Sequence, residues 1–376
     1  MARTVYLGQL SGPNGKRKVS VAANTLMQYV IKTVAQGTEN MLVLSYAQCG
    51  LLENAVKSEE LSCGAQIIYF DEELKSAGNV IEKLKNRKKH EKALLKFVCE
   101  HLQDGDTLIA YHSLGLMKLL RKIKRRKKIT LVMQVAEIYS DVDGTEKQRK
   151  NEIKFLKEAD RYIFSSVPLC ELINDSNKPY AICMGTYDSA PQVASCFDDG
   201  KCHIVYAGTF NPIKGGVFNA IDAAEHLDEN YHLHLLGGGE EKLLKVVIKK
   251  MLQMSVKTSC EITYDGYLQG EEYLKFLQSC HIGLSTQNAQ AAYSDTSFPS
   301  KVLVYFANGL RVVSSGALPL KKSSIKSEIF FYEGSDPSEI ARAVKTAREE
   351  KAQDTRAILN ELDKVFKAEL FEMLSK

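Results

Sequence analysis

The stretch Ile204–Glu241, reading IVYAGTFNPIKGGVFNAIDAAEHLDENYHLHLLGGGEE, constrains the fold more than any other part of this chain. An apolar strand ends in Gly208, and a short polar loop then carries Lys214, Gly215 and Gly216. Val217, Ala220, Ile221 and Ala224 follow at helical spacings of three and four. A second apolar run, His232 to Leu236, ends in Gly237, Gly238 and Gly239. The pattern predicts a strand, loop, helix, strand unit with both glycine breaks at the carboxyl ends of the strands. In a doubly wound sheet that is where ligands bind. Glycine lets backbone approach a ligand closely, and a helix start offers unpaired N–H groups and a partial positive charge. With Lys214 adding a full charge, the assembly suits a phosphate or diphosphate, although a tight strand-to-helix turn also explains Gly208 by itself.

A second stretch, Phe298–Ser315, reads FPSKVLVYFANGLRVVSS. Ser300 is placed to cap a helix that Asn308-Gly309 closes, and Lys301 falls in its first turn. A cation there opposes the helix dipole, and an anion bound at that end would offset the cost. The remaining chain alternates in the same way. Strands are expected at 4–7, 41–46, 66–70, 107–111, 129–135, 159–165 and 180–184, then at 204–207, 232–236, 261–264, 282–285, 311–314 and 328–331. Helical stretches include 19–34, 76–102, 113–128, 337–349 and 355–374. Such alternation implies parallel sheets covered by helices on both faces. At 376 residues the chain suggests two domains. These are set at 1–185 and 201–350, joined by a polar linker at 186–200 and followed by a terminal helix, 351–376.

YAGTFNPIKGG, LLGGGEE, YDGYLQGEEYLKFLQSCHIGLS and FPSKVLVYFANGLRVVSS together resemble the C-terminal domain of retaining GT-B glycosyltransferases of the group 1 family, family 4. The resemblance implies two Rossmann-like domains with parallel sheets facing across a cleft, an acceptor domain first and a nucleotide-sugar donor domain second. It also implies that the terminal helix returns to the first domain. The implied reaction moves a sugar, with retention, from a nucleotide-sugar to a carbohydrate or lipid-linked acceptor, as in the synthesis of bacterial surface polysaccharide or glycoconjugates. The donor, foremost a UDP-sugar, is a substrate, and no cofactor is implied. Lys214 matches the lysine of the family's KG motif and Lys301 is a second cation for the leaving diphosphate, where charge stabilises the transition state. Gly8, Gly208, Thr209, Gly237, Gly238, Thr296 and Ser300 are the implied donor-binding positions. His112 and Glu137, after two strands of the first domain, are the candidates to meet the acceptor. A hydrogen-bonded loop histidine and a lysine-paired carboxylate are the plainer readings of these two.

The sequence departs from the family at four places. Thr209 stands where an arginine is common, Thr296 and Val304 where paired glutamates fall eight positions apart, and Ala136 where many members have a histidine. These losses leave open a non-catalytic GT-B subunit supporting a partner transferase, and they weigh equally against a nucleotide-sugar epimerase. Asp141-Val142-Asp143 spells a DxD triplet, whose metal use belongs mainly to another glycosyltransferase fold, and no metal is expected. His203, His232 and His234 lie on strands and are expected to face solvent or pack.

Charge and cysteine narrow the setting. The net charge of +4 conceals a basic first half and an acidic second half. Its basic runs lack the interleaved aromatics of a nucleic-acid surface, and no nucleic-acid partner is expected. In LGLMKLLRKIKRRKK, 114–128, an apolar stripe is bordered by cations, so Lys118–Lys128 can meet an anionic membrane surface. No apolar run approaches the ~18 residues of a membrane span, and no signal peptide is evident. Nine scattered cysteines without a CxxC pair fit reduced thiols. Together these features place the chain in the cytoplasm, peripheral at the inner face of the membrane.

Overall fold

The structure is a computed structural model that describes residues 3–38, 40–49, 56–71, 79–193, 196–211, 215–288, 291–351 and 353–376. Lys214 and the first residues of the helix expected at 76–102 lie outside the described residues. The chain divides into two compact units. Unit 1 comprises 1–165, 169–186 and 366–376, and unit 2 comprises 166–168 and 187–365.

Unit 1 contains β1 (Thr4–Gly8), β2 (Met41–Ser45), β3 (Ser58–Glu60), β4 (Gln66–Tyr69), β5 (Thr107–Tyr111), β6 (Thr130–Val135), β7 (Arg161–Phe164) and β8 (Tyr180–Ile182). They form one sheet in the order β3-β4-β2-β1-β5-β6-β7-β8. All neighbours are parallel except β3 with β4. The short β3 is absent from the sequence reading. Its SEE carries no apolar alternation, and backbone pairing with β4 defines it. Apolar residues of β1, β5 and β6 meet Leu94, Leu95 and Val98 of the helix Val80–His101 in a buried core. In the terminal helix Thr355–Ser375, Leu359, Phe366, Leu370 and Met373 are all buried. Its last residues belong to unit 1, where Phe366 stacks on Tyr29 and Arg161 donates to the carbonyls of Met373 and Leu374. Burying a side chain such as Phe366 contributes about 1.5–3 kcal/mol.

Unit 2 contains β9 (Cys202–Thr209), β10 (Tyr231–Gly238), β11 (Glu261–Gly266), β12 (Ile282–Ser285), β13 (Arg311–Ser315) and β14 (Ile329–Tyr332). The order is β11-β10-β9-β12-β13-β14, every pair parallel. Numbered from β9, this is the Rossmann order 3-2-1-4-5-6, and β1, β2, β4, β5, β6 and β7 of unit 1 repeat it. Alternate residues of β9 and β10, among them Ile204, Tyr206, Leu233 and Leu235, enter a core shared with the helices Gly216–Ala223 and Pro337–Glu349.

The stretch read as a linker is largely part of unit 2. Ala190 N–H donates to the Ala307 carbonyl, Val193 N–H to Gln278, and Phe197 stacks on His203. Ala307 and Gln278 are distant in sequence, which is why local polarity alone reads as a free connection. The helix expected at 113–128 is shorter, a 3-10 turn at Leu114–Leu116 followed by Met117–Lys124. Asp141 sits in a single helical turn, Ser140–Asp143, and accepts from Arg149 Nε at 2.6 Å. All nine cysteines are free thiols. Among the described residues no helix is long and apolar enough to cross a membrane.

Candidate functional site

In unit 2 the strand order reverses between β9 and β12, and these two strands pair only at Ile282–Ile204 and Gly283–Val205. Beyond Val205 they separate toward their carboxyl ends, which is the crevice where doubly wound folds bind ligands. Tyr305 fills the split. Its fully buried hydroxyl accepts from Ala207 N–H at 3.0 Å and donates to the Leu284 carbonyl at 3.1 Å. Gly283 is required beneath it, because a Cβ there would lie 2.3 Å from the Tyr305 ring. Burial pushes the Tyr305 phenol well above its ordinary pKa, so it remains a neutral donor.

Lys301 lies one helical turn before Tyr305 and therefore on the same face of the helix Lys301–Ala307. Its ammonium sits 3.7 Å from the centroid of the Tyr206 ring, in the range of a cation–π contact. A Cβ built on Gly208 would fall 2.6 Å from Lys301 Cε and 2.9 Å from Nζ. Lys301 and the first glycine turn, expected separately from the sequence, are thus brought together. Tyr206 makes the platform and is itself fixed below Gly216, where an added Cβ would meet its hydroxyl at 2.9 Å.

The two glycine breaks are also joined. Gly208 and Gly237 are register partners with φ of +140° and +131°. A Cβ on Gly237 would lie 2.0 Å from the Gly208 carbonyl oxygen, so this close backbone pair tolerates no side chain. Phe210 N–H donates to the Gly238 carbonyl, and Tyr264 donates to that of Gly237. Thr209, at the end of β9, is exposed, and Gly238 is half-buried. After β12, the buried Thr286 donates to the Gly216 carbonyl at 2.6 Å and accepts through its own carbonyl from Asn219. The start of the helix Gly216–Ala223 is thereby tied to the crevice, with Gly215 before it in the left-handed region at φ +63°.

The candidate positions after β12 fall less uniformly. Ser300 occupies the position before the helix but is exposed, helical in backbone, and makes no capping bond through its side chain. Its helical φ and ψ turn the hydroxyl away from the N–H groups that a capping residue would meet. Thr296 is buried and Val304 is exposed. Tyr206, Tyr305, Thr286 and Asn219 are absent from the sequence reading. The spacing of Tyr305 four residues after Lys301 is a signal for one of them, while Thr286 and Asn219 carry none.

At the carboxyl ends of the unit 1 strands, Gly8 is buried, and a Cβ there would meet Met27 Sδ at 2.6 Å. The loop after it is bonded in place. Gly12 N–H donates to the Tyr69 hydroxyl at 2.8 Å and Asn14 N–H to Glu59. Arg17 is buried, pairs with Asp71 and lies over the Tyr69 ring. His112 is 1 % exposed, with Nε2 2.7 Å from Glu152 Oε1. Glu152 also accepts from the backbone N–H groups of Tyr139 and Ser140. Burial pushes the Glu152 carboxyl up, but the bonds from His112 and Ser140 outweigh it and hold the pKa below the ordinary value. Glu137 is half-buried beside Tyr111 and Tyr139. Burial, with Tyr139 donating to lower it and the Glu137 charge raising it, pushes the Tyr111 phenol up to about 12.

No protein-family model matches the chain, and no curated protein matches it in sequence. Solved structures do. Sucrose-phosphate synthase from Thermosynechococcus elongatus superposes with a TM-score of 0.72 at 13% identity, covering 99% of this chain and 98% of that one. Anabaena Alr3699/HepE in complex with UDP gives 0.68 at 14%, covering 99% of each. An alpha,alpha-trehalose-phosphate synthase (UDP-forming) from Burkholderia vietnamiensis gives 0.66 at 9%, covering all of both. At these identities the likeness shows the fold. The chain has the GT-B class of α/β fold, built of two Rossmann-like units.

Proposed function

We propose that this chain is a retaining glycosyltransferase that moves a sugar from a nucleotide-sugar, foremost a UDP-sugar, to a carbohydrate or lipid-linked acceptor. The observation that carries the reading is Lys301 over the Gly208 turn at the switch point of unit 2. A diphosphate seated there meets a fixed cation and closely approachable backbone, and the same contacts strengthen as charge develops on the leaving oxygen. The names of HepE in complex with UDP and of the UDP-forming synthase support a uridine nucleotide. Lys214, by its match to the KG motif, supplies a second cation. His112 and Glu137 are the proposed acceptor-side groups. His112 is bonded to Glu152 through Nε2, so Nδ1 is the atom that would face the acceptor side.

The test is calorimetric titration of UDP and GDP into the wild type, Lys301→Ala and Lys214→Ala. Loss of one charge-assisted contact costs about 1.5–3 kcal/mol, which is roughly a 10- to 100-fold weaker Kd. Unchanged affinity in both variants overturns the assignment. Thr209, Thr296 and Val304 at the family's arginine and glutamate positions favour a second reading, a non-catalytic subunit of the same fold. Nucleotide binding without hydrolysis or transfer across a panel of UDP- and GDP-sugars would establish that reading.

We place the protein in the cytoplasm at an anionic membrane surface. Leu119, Leu120 and Ile123 are buried in the unit 1 core, so attachment is electrostatic. Arg121 pairs with Glu158 and Lys124 with Asp160, while Lys118, Lys122, Arg125 and Arg126 are exposed. Co-sedimentation with anionic vesicles that weakens steeply between low and physiological salt is the expected result. Binding to neutral vesicles, or no binding to anionic ones, rejects it.

A further inference from the structure

One face of β10 and β11 in unit 2 carries polar residues at alternate positions, joined at its β9 edge by His203. His203 is the register partner of His232, His232 of Glu261, and His234 of Thr263. His203, His232 and His234 are 1 %, 8 % and 2 % exposed, so of the two expectations for them, packing holds and solvent exposure does not. Phe197 covers them, its ring 4.0 Å from that of His203 and 5.1 Å from that of His234, and Phe276 stands edge-on to His234. His203 lies five residues before Gly208, about 16 Å along the strand from the nucleotide crevice.

The hydrogen bonds around this trio leave a conflict. His203 Nε2 lies 2.8 Å from Asp199 Oδ1, and His234 Nδ1 lies 3.1 Å from Asp265 Oδ2. An ionised carboxylate only accepts, so each of these ring nitrogens carries its proton. A neutral imidazole has one N–H, and the remaining nitrogens, His203 Nδ1 and His234 Nε2, therefore both present lone pairs. They face each other at 2.9 Å. Two lone pairs at that distance repel unless a cation lies between them, either a shared proton or a metal ion. The third imidazole favours the metal ion. The His232 ring centroid is 3.9 Å from that of His234, and one nitrogen from each of the three histidines lies within 4.8 Å of the others. A shared proton uses two nitrogens, whereas a metal ion also takes one from His232, whose Nε2 otherwise lies 2.9 Å from the Thr263 hydroxyl.

We propose that His203, His232 and His234 form a binding site for a zinc-type divalent cation, with three imidazole ligands and a fourth position filled by solvent or a nearby carboxylate. Imidazole is a preferred donor for such ions. In a tetrahedral site with metal–nitrogen bonds of 2.0–2.1 Å, ligand nitrogens stand about 3.3 Å apart. The His203–His234 pair reaches this by opening a few tenths of an ångström. Asp199 and Asp265 then act as the carboxylates that hold the outer N–H of a ligating histidine and fix its tautomer. Glu261, whose oxygen is 3.6 Å from His232 Nδ1 and which pairs with Lys201, adds negative charge nearby. The site is separate from the nucleotide crevice, and its role is to fasten β9, β10 and the segment bearing Phe197 and Asp199.

The experiment uses the full chain, stripped with a chelator and titrated with Co²⁺ and then Zn²⁺. Expected are visible absorption bands of four-coordinate cobalt at one equivalent, their loss on adding zinc, and a Tm raised by roughly 5–10 °C with excess zinc. His234→Gln abolishes the bands, Asp265→Asn weakens zinc affinity 10- to 100-fold, and His226→Gln, elsewhere in unit 2, changes neither. If His234→Gln does not fold, His232→Gln and Asp265→Asn carry the test. Failure of the wild type to bind either ion, or equal affinity in the wild type and Asp265→Asn, overturns the proposal. So does a metal-independent downfield proton shared by His203 and His234, seen by NMR in a chain that takes up no zinc.

Discussion

The two units share a strand order but treat the carboxyl ends of their strands in opposite ways. In unit 1, Gly8 is backed by Met27, the N–H groups of Gly12 and Asn14 are taken by Tyr69 and Glu59, and His112 is taken by Glu152. Several polar groups there are satisfied from within, although Arg17 Nε, His112 Nδ1 and Gln134 Nε2 are buried without a hydrogen-bond partner among the described residues. In unit 2, Gly208 and Gly237 hold two backbones in close contact, Thr209 is exposed, and Lys301 is held over the turn. The same topology thus yields a strand end braced mainly by its own side chains and one where charge and close backbone come together, the place proposed for a diphosphate. A fold places a site, and the side chains beneath it decide whether anything is left to bind.

The largest effect expected from this contrast is on the glycines. Gly237→Ala puts a Cβ 2.0 Å from a backbone oxygen at φ +131°, so the two strands must part. We expect a loss of about 3 kcal/mol or more in urea unfolding of unit 2. Gly8→Ala meets the sulfur of the flexible Met27 at 2.6 Å and the Tyr6 ring at 3.3 Å, with no backbone atom in the way, and about 1–2 kcal/mol is expected. Equal losses would remove the distinction between the two turns. Tyr305→Phe comes next. It leaves the buried Ala207 N–H and Leu284 carbonyl without their bridging hydroxyl, at about 1–3 kcal/mol for each unsatisfied group. Because Lys301 rides on the same helix face, UDP affinity should fall as well, although residue 305 does not itself meet the nucleotide. Stability lost with affinity unchanged would separate Lys301 from its support.

A smaller effect isolates the closed end of unit 1. The Glu152 pKa is lowered in the folded protein, so its contribution is present above the unfolded value of about 4.5 and is lost as pH falls through the folded value. Glu152→Gln should therefore be less stable than the wild type at pH 7 and should show a flatter loss of stability below pH 4.5. Parallel acid unfolding curves for the two proteins would show that the His112–Glu152 pair is not what closes this strand end. The smallest effect is expected at Gly238, where an added Cβ meets nothing within 4 Å and φ is not positive. Gly238→Ala should change stability by no more than about 0.5 kcal/mol. A clear loss of UDP affinity in that variant would mark Gly238 as backbone approached by the ligand.

Much of this was legible in the chain itself. The βα alternation, the glycine breaks ending 204–208 and 232–239, and a lysine in the first turn of the helix at 301 are local, periodic features. They follow from the geometry of a strand or a helix and need no distant partner. Even the departures at Thr209, Thr296 and Val304 can be read by position. The sequence did not disclose that Gly208 and Gly237 would lie back to back, that the Tyr305 hydroxyl would bridge β9 and β12, or that Lys301 would rest on Tyr206. Nor did it disclose that the segment at 187–200 would fasten to unit 2. Each depends on register between elements roughly 30 to 100 residues apart, and a one-residue slip would turn every side chain to the other face. His203, His232 and His234 are the sharpest case. Along the chain they are one residue of a first strand and two alternating residues of a second, of no evident purpose. Parallel pairing of β9 with β10 stacks them on one buried face, and the carboxylates at its edges turn their lone pairs toward each other.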